Sequence, residues 1–151
     1  MIAADQPTCF PSDLLVAVSS KDDGTMLNRI RGRHVGEVMS NRRRFCDKVG
    51  ALYDNVVYQI ISYDQEQTFD NIVSVAESDK VKHNNEGIFA DALYTENTGV
   101  GLFLPVADCI ATVIYDPKRR ALMLAHLGRH STIAKLMSRA ILHFVKRGSQ
   151  V

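Results

Sequence analysis

Two apolar segments separated by one short turn constrain the fold of this chain more than any other feature. The segments cover residues 106–115 and 120–126, and Asp116-Pro117 lies between them. Asp followed by Pro is typical of a type I turn with Asp at position i and Pro at i+1, and apolar segments on both sides indicate a β-hairpin. We therefore predict an antiparallel hairpin whose loop is residues 116–119.

This loop determines which residues lie opposite each other. It pairs Tyr115 with Arg120 and, further from the turn, Cys109 with His126. Directly opposed residues have Cβ atoms about 4.5–5.5 Å apart on the same face. A thiol and an imidazole at that distance can share a proton, which makes the thiol a nucleophile, or can bind Zn²⁺ together. Cys109 and His126 are thus candidates both for catalysis and for metal binding; the alternative is a small buried cysteine beside an ordinary strand-end histidine.

The residues after His126 lead into the clearest helix of the sequence. Its apolar stripe predicts a helix over residues 132–147, and the stripe consists of Ile133, Leu136, Met137, Ala140, Ile141 and Phe144. Ser131 or Thr132 can cap its start and Gly148 suits its end. Backbone N–H groups at the helix start, with Arg129 beside them, could hold an anion such as phosphate. A plain strand-to-helix connection is an equally good interpretation of this segment.

The other elements alternate in type along the chain. Residues 14–19 are predicted to form a first buried strand, and residues 35–52 an amphipathic helix in which Arg42 and Arg43 lie off the apolar stripe. Further strands are predicted at 56–62, 72–75, 90–95 and 100–106, with a polar loop over 77–87. The sequence contains no repeat and no linker. We therefore predict one domain over residues 1–151, an α/β (α+β) fold with a mixed β-sheet core and flanking helices.

Composition excludes some classes of protein. The chain is 46% hydrophobic, but no uninterrupted apolar run is longer than Leu14 to Val18, whereas a membrane span needs roughly 20 residues. No segment resembles a secretory signal. The three cysteines are Cys9, Cys46 and Cys109; they are an odd number without a CxxC pair, which favours reduced thiols. We expect a cytoplasmic protein with no membrane partner.

The charge is distributed unevenly, although the net charge is only +1. Residues 51–100 carry two basic and nine acidic side chains, and residues 101–151 carry eight basic and two acidic ones. The arginines that could contact phosphates are Arg29, Arg31, Arg33, Arg42, Arg43 and Arg44. A nucleic-acid-binding protein normally adds a large positive net charge and interleaved aromatic residues. Nucleic acid is therefore not an expected partner.

Successive motifs of the chain resemble those of a known family. The motifs are Ala90-Asp-Ala-Leu-Tyr-Thr95, Val106-Ala-Asp-Cys109, Tyr115-Asp-Pro117 and Ala125-His126-x-Gly128, with His34-Val-Gly-Glu37, Asn41-Arg42 and Val57-Tyr-Gln59-Ile-Ile61 upstream. Their order and spacing resemble the laccase-domain family, also called the multi-copper polyphenol oxidoreductase or purine nucleoside phosphorylase family. The resemblance extends from about residue 14 to the end of the chain.

The resemblance implies a fold related to cysteine-hydrolase toxins and a zinc or copper ion held by two histidines and one cysteine. Cys109 and His126 match two of these ligands, whereas the third ligand position is Ile61, and an aliphatic side chain binds no metal. His130 is the nearest candidate to complete the set Cys109, His126, His130, and His83 is a more remote one. Family members are considerably longer, so we expect a C-terminally truncated member.

Three functions follow as hypotheses. The first is a metal-dependent enzyme of purine nucleosides, a phosphorylase or adenosine deaminase whose small-molecule partners are the nucleoside and phosphate and whose Arg129 binds substrate. The second is a catalytically inactive truncated homologue that binds a partner or forms a homo-oligomer through exposed apolar surface. The third is a metal-independent hydrolase that uses the Cys–His pair alone.

Overall fold

The computed structural model describes residues 7, 9–27, 35–64, 66–80 and 87–150. His34, His83 and the arginines at 29, 31 and 33 lie outside these residues. The chain folds into two compact units, Met1–Tyr53 and Asp54–Val151, and each is described by itself. The single domain stays a prediction.

The first unit contains one long helix, α1, at Val35–Val49. The predicted helix is therefore confirmed, but it ends three residues early because Gly50 adopts a left-handed conformation (φ 78°) that terminates it. Arg42, expected off the apolar stripe, is buried, and its Nε donates a hydrogen bond to the Met26 carbonyl oxygen at 2.8 Å. That bond satisfies one of the donors of the buried guanidinium. A buried charged group without hydrogen-bond partners would destabilise the unit.

The predicted first strand at residues 14–19 is wrong. The segment pairs with no other described strand, and Leu15 and Val18 are each more than half exposed. An apolar run becomes a strand only when a neighbouring edge satisfies its N–H and C=O groups, and the described residues provide none.

The described residues of the second unit form seven strands in two sheets, one parallel and one mixed. One sheet has the order β3-β1-β5, with β1 at Val56–Ile60, β3 at Ile88–Phe89 and β5 at Gly101–Phe103, all parallel. The other has the order β2-β4-β7-β6, with β2 at Ile72–Ser74, β4 at Ala92–Thr95, β6 at Ile110–Asp116 and β7 at Ala121–Leu127. Strands β2 and β4 are parallel, and the other pairs in that sheet are antiparallel. The expected mixed α/β architecture with flanking helices is confirmed.

The two faces of β4 bury different cores. Ala92 and Tyr94 pack with Met123 and with Leu136 of the last helix, whereas Leu93 on the opposite face packs with Val57 of the smaller sheet. Side chains of successive strand residues point to opposite faces, so the larger sheet lies between the helix and the other strands. His126 neighbours Ala125, which faces the helix, and therefore lies on the face away from it.

The last helix is interrupted. Residues Arg129–Ile133 form a short helix, α2, and Leu136–Lys146 form α3. Lys135 between them adopts φ 60°, a conformation that a continuous helix does not allow. The predicted stripe is partly retained, since Leu136, Ala140 and Phe144 are buried, but Ile133 lies mostly exposed. Gly148 ends the helix with φ 93°, as predicted, whereas the residue that caps α2 is Gly128 and not Ser131 or Thr132.

Candidate active site

The β6–β7 hairpin is confirmed, but its register differs from the prediction by two residues. Tyr115 pairs with Leu122 and not with Arg120, so His126 lies opposite Ala111 and not opposite Cys109. The Asp–Pro turn does form, because Asp116 Oδ1 accepts hydrogen bonds from the backbone N–H groups of Lys118 (2.9 Å) and Arg119 (3.2 Å). Arg120 then adopts φ 54° and remains in the loop, which moves the first paired residue to Ala121.

A shift of two residues leaves every side chain on its predicted face, because the side-chain period of a strand is two. Cys109 directly precedes β6 and Gly128 directly follows β7, and the register continued by one position brings Cys109 beside Gly128, on the side of His126. A Cβ on Gly128 would lie 3.1 Å from His126 Cε1 and 3.2 Å from Cys109 Sγ. The thiol and the imidazole thus converge on the space that a side chain at Gly128 would fill. The distance between Cys109 Sγ and His126 Cε1 cannot exceed the sum of those two distances.

Asp91 is a member of this cluster that sequence reasoning missed. It precedes β4 directly opposite His126, whose backbone N–H donates to the Asp91 carbonyl oxygen at 2.9 Å. Its side chain is only 4% exposed, and Oδ2 accepts a hydrogen bond from the Asn71 backbone N–H at 3.0 Å. Burial raises the pKa of Asp91, while that hydrogen bond and the charge of His126 lower it. An acidic residue inside an apolar strand motif was the available signal, because aspartate is almost never fully buried without a partner.

His126 is buried, with 5% of its surface exposed. Burial lowers its pKa, and the Asp91 carboxylate acts in the opposite direction, so the imidazole is neutral near pH 7. Its carbonyl oxygen accepts a hydrogen bond from Ser131 Oγ at 2.8 Å, and the same hydroxyl accepts one from the Gly128 N–H at 2.9 Å. Ser131 therefore ties the end of β7 to α2 and fixes the backbone that carries the imidazole.

Three rings form a cluster, and one of them, Tyr63, neighbours the thiol. Phe69 stacks on His130, with ring centroids 4.6 Å apart and an interplanar angle of 22°. Tyr63 is 6.2 Å from each of these rings. Burial of the Tyr63 hydroxyl raises its pKa, as do the charges of Cys109 and Asp108 and a hydrogen bond to the Cys109 side chain. Arg129, the predicted substrate-binding residue, begins α2 and is exposed.

The described residues do not fit the expected three-ligand metal site. Among them, no group of three His, Cys, Asp or Glu side chains is arranged to hold a metal ion. The set Cys109, His126, His130 is not assembled, because His130 stacks on Phe69, and Ile61 provides no donor atom. Two donors are one fewer than a catalytic zinc site normally takes from its protein.

Nor does any helix in the described ranges have the length and apolar character to cross a membrane. The thiols of Cys9, Cys46 and Cys109 are free.

Fold and site together define a class: an α/β protein with a thiol, an imidazole and a carboxylate clustered at strand ends of a mixed sheet. The chain belongs to the family described as multi-copper polyphenol oxidoreductase laccase, which matches residues 23–151. This confirms the resemblance of the sequence motifs.

Named relatives agree with that assignment. The chain is 31% identical over 124 residues to a purine nucleoside phosphorylase of Corynebacterium glutamicum, covering 79% of this chain and 47% of that protein. It is similar to the crystal structure of the hypothetical protein YfiH of Bacillus licheniformis, with a TM-score of 0.65 and 25% identity over 78% of this chain and 46% of that one. The structure of YlmD from Geobacillus stearothermophilus gives a TM-score of 0.64 and 27% identity, covering 77% and 44%. The chain spans about half the length of these relatives.

Proposed function

We propose that this chain acts on purine nucleosides at the cluster of Cys109, His126 and Asp91, and that its reaction is phosphorolysis. A phosphate oxygen bonds to C1′ of the ribose, the bond from C1′ to the purine nitrogen breaks, and the base leaves with the bonding electron pair and takes up a proton. The products are the free base and ribose 1-phosphate. The observation that carries the proposal is the convergence of thiol and imidazole at Gly128, in a chain similar to a named purine nucleoside phosphorylase.

His126 and Asp91 supply the proton transfer in this proposal. A neutral imidazole can take a proton from dihydrogen phosphate, which makes the phosphate a better nucleophile, and can then pass that proton to the leaving base. The carboxylate of Asp91, opposite His126 in the sheet, stabilises the imidazolium in between. Arg129 at the start of α2 is the proposed phosphate-binding side chain, because a guanidinium matches phosphate geometry.

The zinc or copper dependence and the deaminase activity implied by the family remain proposals of the same kind. Elemental analysis of the purified chain tests the first. One equivalent of metal would require a third ligand outside the described residues, with His83 and His34 the histidines to replace first. The proposed cytoplasmic location rests on the free thiols, because reducing compartments keep cysteines in that state.

The test is to incubate the chain with adenosine and phosphate and to separate adenine and inosine by chromatography. Adenine indicates phosphorolysis, and inosine indicates deamination. We expect His126→Ala to lower turnover about 100-fold or more. Cys109→Ala should also lower it, because the thiol fills the space beside the imidazole, whereas Cys9→Ala, which removes an exposed cysteine of the other unit, should leave it unchanged. Product formation no faster than in Cys109→Ala would refute the proposal.

A second candidate function is favoured by Asp91. Cys109, His126 and Asp91 have the composition of a nucleophile, a base and a group that orients the base, and this chemistry needs no metal. The thiolate would add to an ester or amide carbonyl, the alcohol or amine would leave with a proton from His126, and water would release the acid. A burst of one p-nitrophenolate per chain from p-nitrophenyl acetate, unaffected by chelator and lost in Cys109→Ala, is the expected result. A burst that persists in Cys109→Ala would exclude this function.

The inactive-homologue hypothesis is the remaining outcome. A folded chain that shows neither turnover nor burst would be assigned to it, and the oligomeric state by sedimentation would then show whether it self-associates.

A further inference from the structure

The aromatic cluster of Tyr63, Phe69 and His130 has no part in the proton transfer proposed above. Its rings come from two separate segments, the loop after β1 and the start of α2. The stacked pair of Phe69 and His130 forms a support, and Tyr63 meets both rings at an angle, 45° to Phe69 and 67° to His130. Such offset and edge-on arrangements are the favourable ones for aromatic pairs, so the ring of Tyr63 is held from one side.

Tyr63 is exposed in one part and enclosed in another. Its side chain is 61% exposed, which leaves ring surface open beside the site. Burial and the neighbouring Cys109 and Asp108 raise the pKa of the Tyr63 hydroxyl. The open ring surface therefore belongs to a side chain that neighbours the thiol.

The backbone at Phe69 is strained in support of this cluster. Phe69 adopts φ 58°, a left-handed conformation that L-residues with a Cβ avoid. Strained backbone of this kind persists where surrounding structure imposes it, and it occurs preferentially at ligand-binding and active sites. At this position the strain brings the phenyl ring onto His130.

From these contacts we infer that Tyr63, supported by Phe69 and His130, is a stacking surface for the purine base of the substrate. The inference rests on the proposed function and deepens it. A base lying flat on the open face of Tyr63 would have its bond to the ribose beside Cys109, whose thiol converges with the imidazole of His126 at Gly128. A fused two-ring base covers more of an aromatic face than a single-ring pyrimidine, so the surface selects purine over pyrimidine nucleosides.

Equilibrium binding of adenosine without phosphate tests this inference independently of turnover. Calorimetry gives the dissociation constant in wild type and in each variant, and because the chain has no tryptophan and five tyrosines, the part of the fluorescence quenching that is absent in Tyr63→Ala is assigned to Tyr63. We expect Tyr63→Ala to weaken adenosine binding about 5- to 100-fold, the range typical of base–aromatic stacking. Tyr63→Phe keeps the ring and should change binding less than about threefold.

Tyr115→Ala is the matched control. Tyr115 lies in β6, six residues after Cys109 and roughly 20 Å away at the usual rise per residue, and its replacement should leave binding unchanged. Wild-type chain should also bind uridine more weakly than adenosine.

Equal adenosine affinity in Tyr63→Ala and wild type, or no adenosine binding by wild-type chain at millimolar concentration, would overturn the inference. Circular dichroism shows whether Tyr63→Ala is folded. If it is not, Tyr63→Leu replaces it, because leucine keeps apolar bulk without a ring, and the same weakening of adenosine binding is expected. Adenosine binding that depends on Tyr63 without turnover would sustain the inference and refute phosphorolysis. Turnover in a chain whose adenosine binding does not depend on Tyr63 would sustain phosphorolysis and refute the inference.

Discussion

Replacing Gly128 by alanine fills the space in which the thiol and the imidazole meet. The backbone there has φ −105° and ψ −175°, which alanine adopts without strain, so the effect is local to the two side chains. The added methyl would lie 3.1 Å from His126 Cε1 and 3.2 Å from Cys109 Sγ, whereas carbon contacts are comfortable at about 3.5–4.0 Å. Each group must therefore retreat by roughly 0.5 Å.

A displacement of that size should affect chemistry far more than stability. A misplacement of about 1 Å costs up to about 100-fold in rate, so we expect Gly128→Ala to lower nucleoside turnover about 10-fold. The methyl also covers the thiol, and the rate of Cys109 alkylation by iodoacetamide, followed by peptide mass spectrometry, should fall by a similar factor. The free energy of unfolding should change by less than about 1 kcal/mol, because the gain from a less flexible unfolded chain opposes the crowding.

Gly36→Ala is the control, since nothing lies within 4 Å of a Cβ at that position. It should leave both rates unchanged and stabilise α1 by up to about 1 kcal/mol. If Cys109 in Gly128→Ala reacts with iodoacetamide within twofold of wild type and turnover is equally unaffected, the described convergence of thiol and imidazole is not what determines reactivity.

Three further predictions concern the two units. Leu136→Ala, at a fully buried position, should lower the free energy of unfolding in urea by about 2–5 kcal/mol, whereas Leu142→Ala on the exposed side of α3 should change it by less than about 0.5 kcal/mol; equal losses would contradict the packing described. Burial and the hydrogen bond to Glu96 raise the pKa of Tyr94 to about 12, so its contribution to stability is intact below pH 10 and lost between pH 10 and 12; in urea titrations the stability difference between wild type and Tyr94→Phe should be constant below pH 10 and change only between pH 10 and 12. Burial raises the pKa of Cys46 to about 11, so at pH 8 it should resist iodoacetamide until the chain unfolds, and rapid native labelling would show that its helix face is open.

The hairpin illustrates how far sequence reasoning extends. The apolar segments and the Asp–Pro turn predicted the element correctly, and the period-two alternation of a strand preserved the face of Cys109 despite an error of two residues in register. The error came from Arg120, whose positive φ belongs to the turn, although no local composition rule assigns a left-handed conformation to arginine. Hairpin loops built around a type I turn commonly end in such a left-handed residue, but the residue types alone did not show that this loop includes Arg120.

Asp91 and the break between α2 and α3 are two further features that the local sequence pattern did not predict. The apolar stripe predicted α3 but not the left-handed Lys135 that separates it from α2, because helical spacing continues through the break. Asp91 lies opposite His126 because β4 pairs with β7, and these strands are far apart in sequence. The sequence alone does not show which strands pair, so it does not identify Asp91 as a neighbour of His126. Local signals therefore identified the thiol and the imidazole, and long-range strand pairing supplied the carboxylate.

The imidazole is carried by β7 and the thiol by the residue that directly precedes β6, and the same short loop joins these two strands. One residue inserted between Cys109 and that loop would turn the sulfur toward α3 while leaving the ladder free to re-form, and two inserted residues would return it to the original side. Changes of length in this stretch should thus be tolerated by folding and penalised by chemistry. Natural insertions and deletions between either reacting group and the turn are then expected to come in pairs, so that both side chains stay on the same face of the sheet.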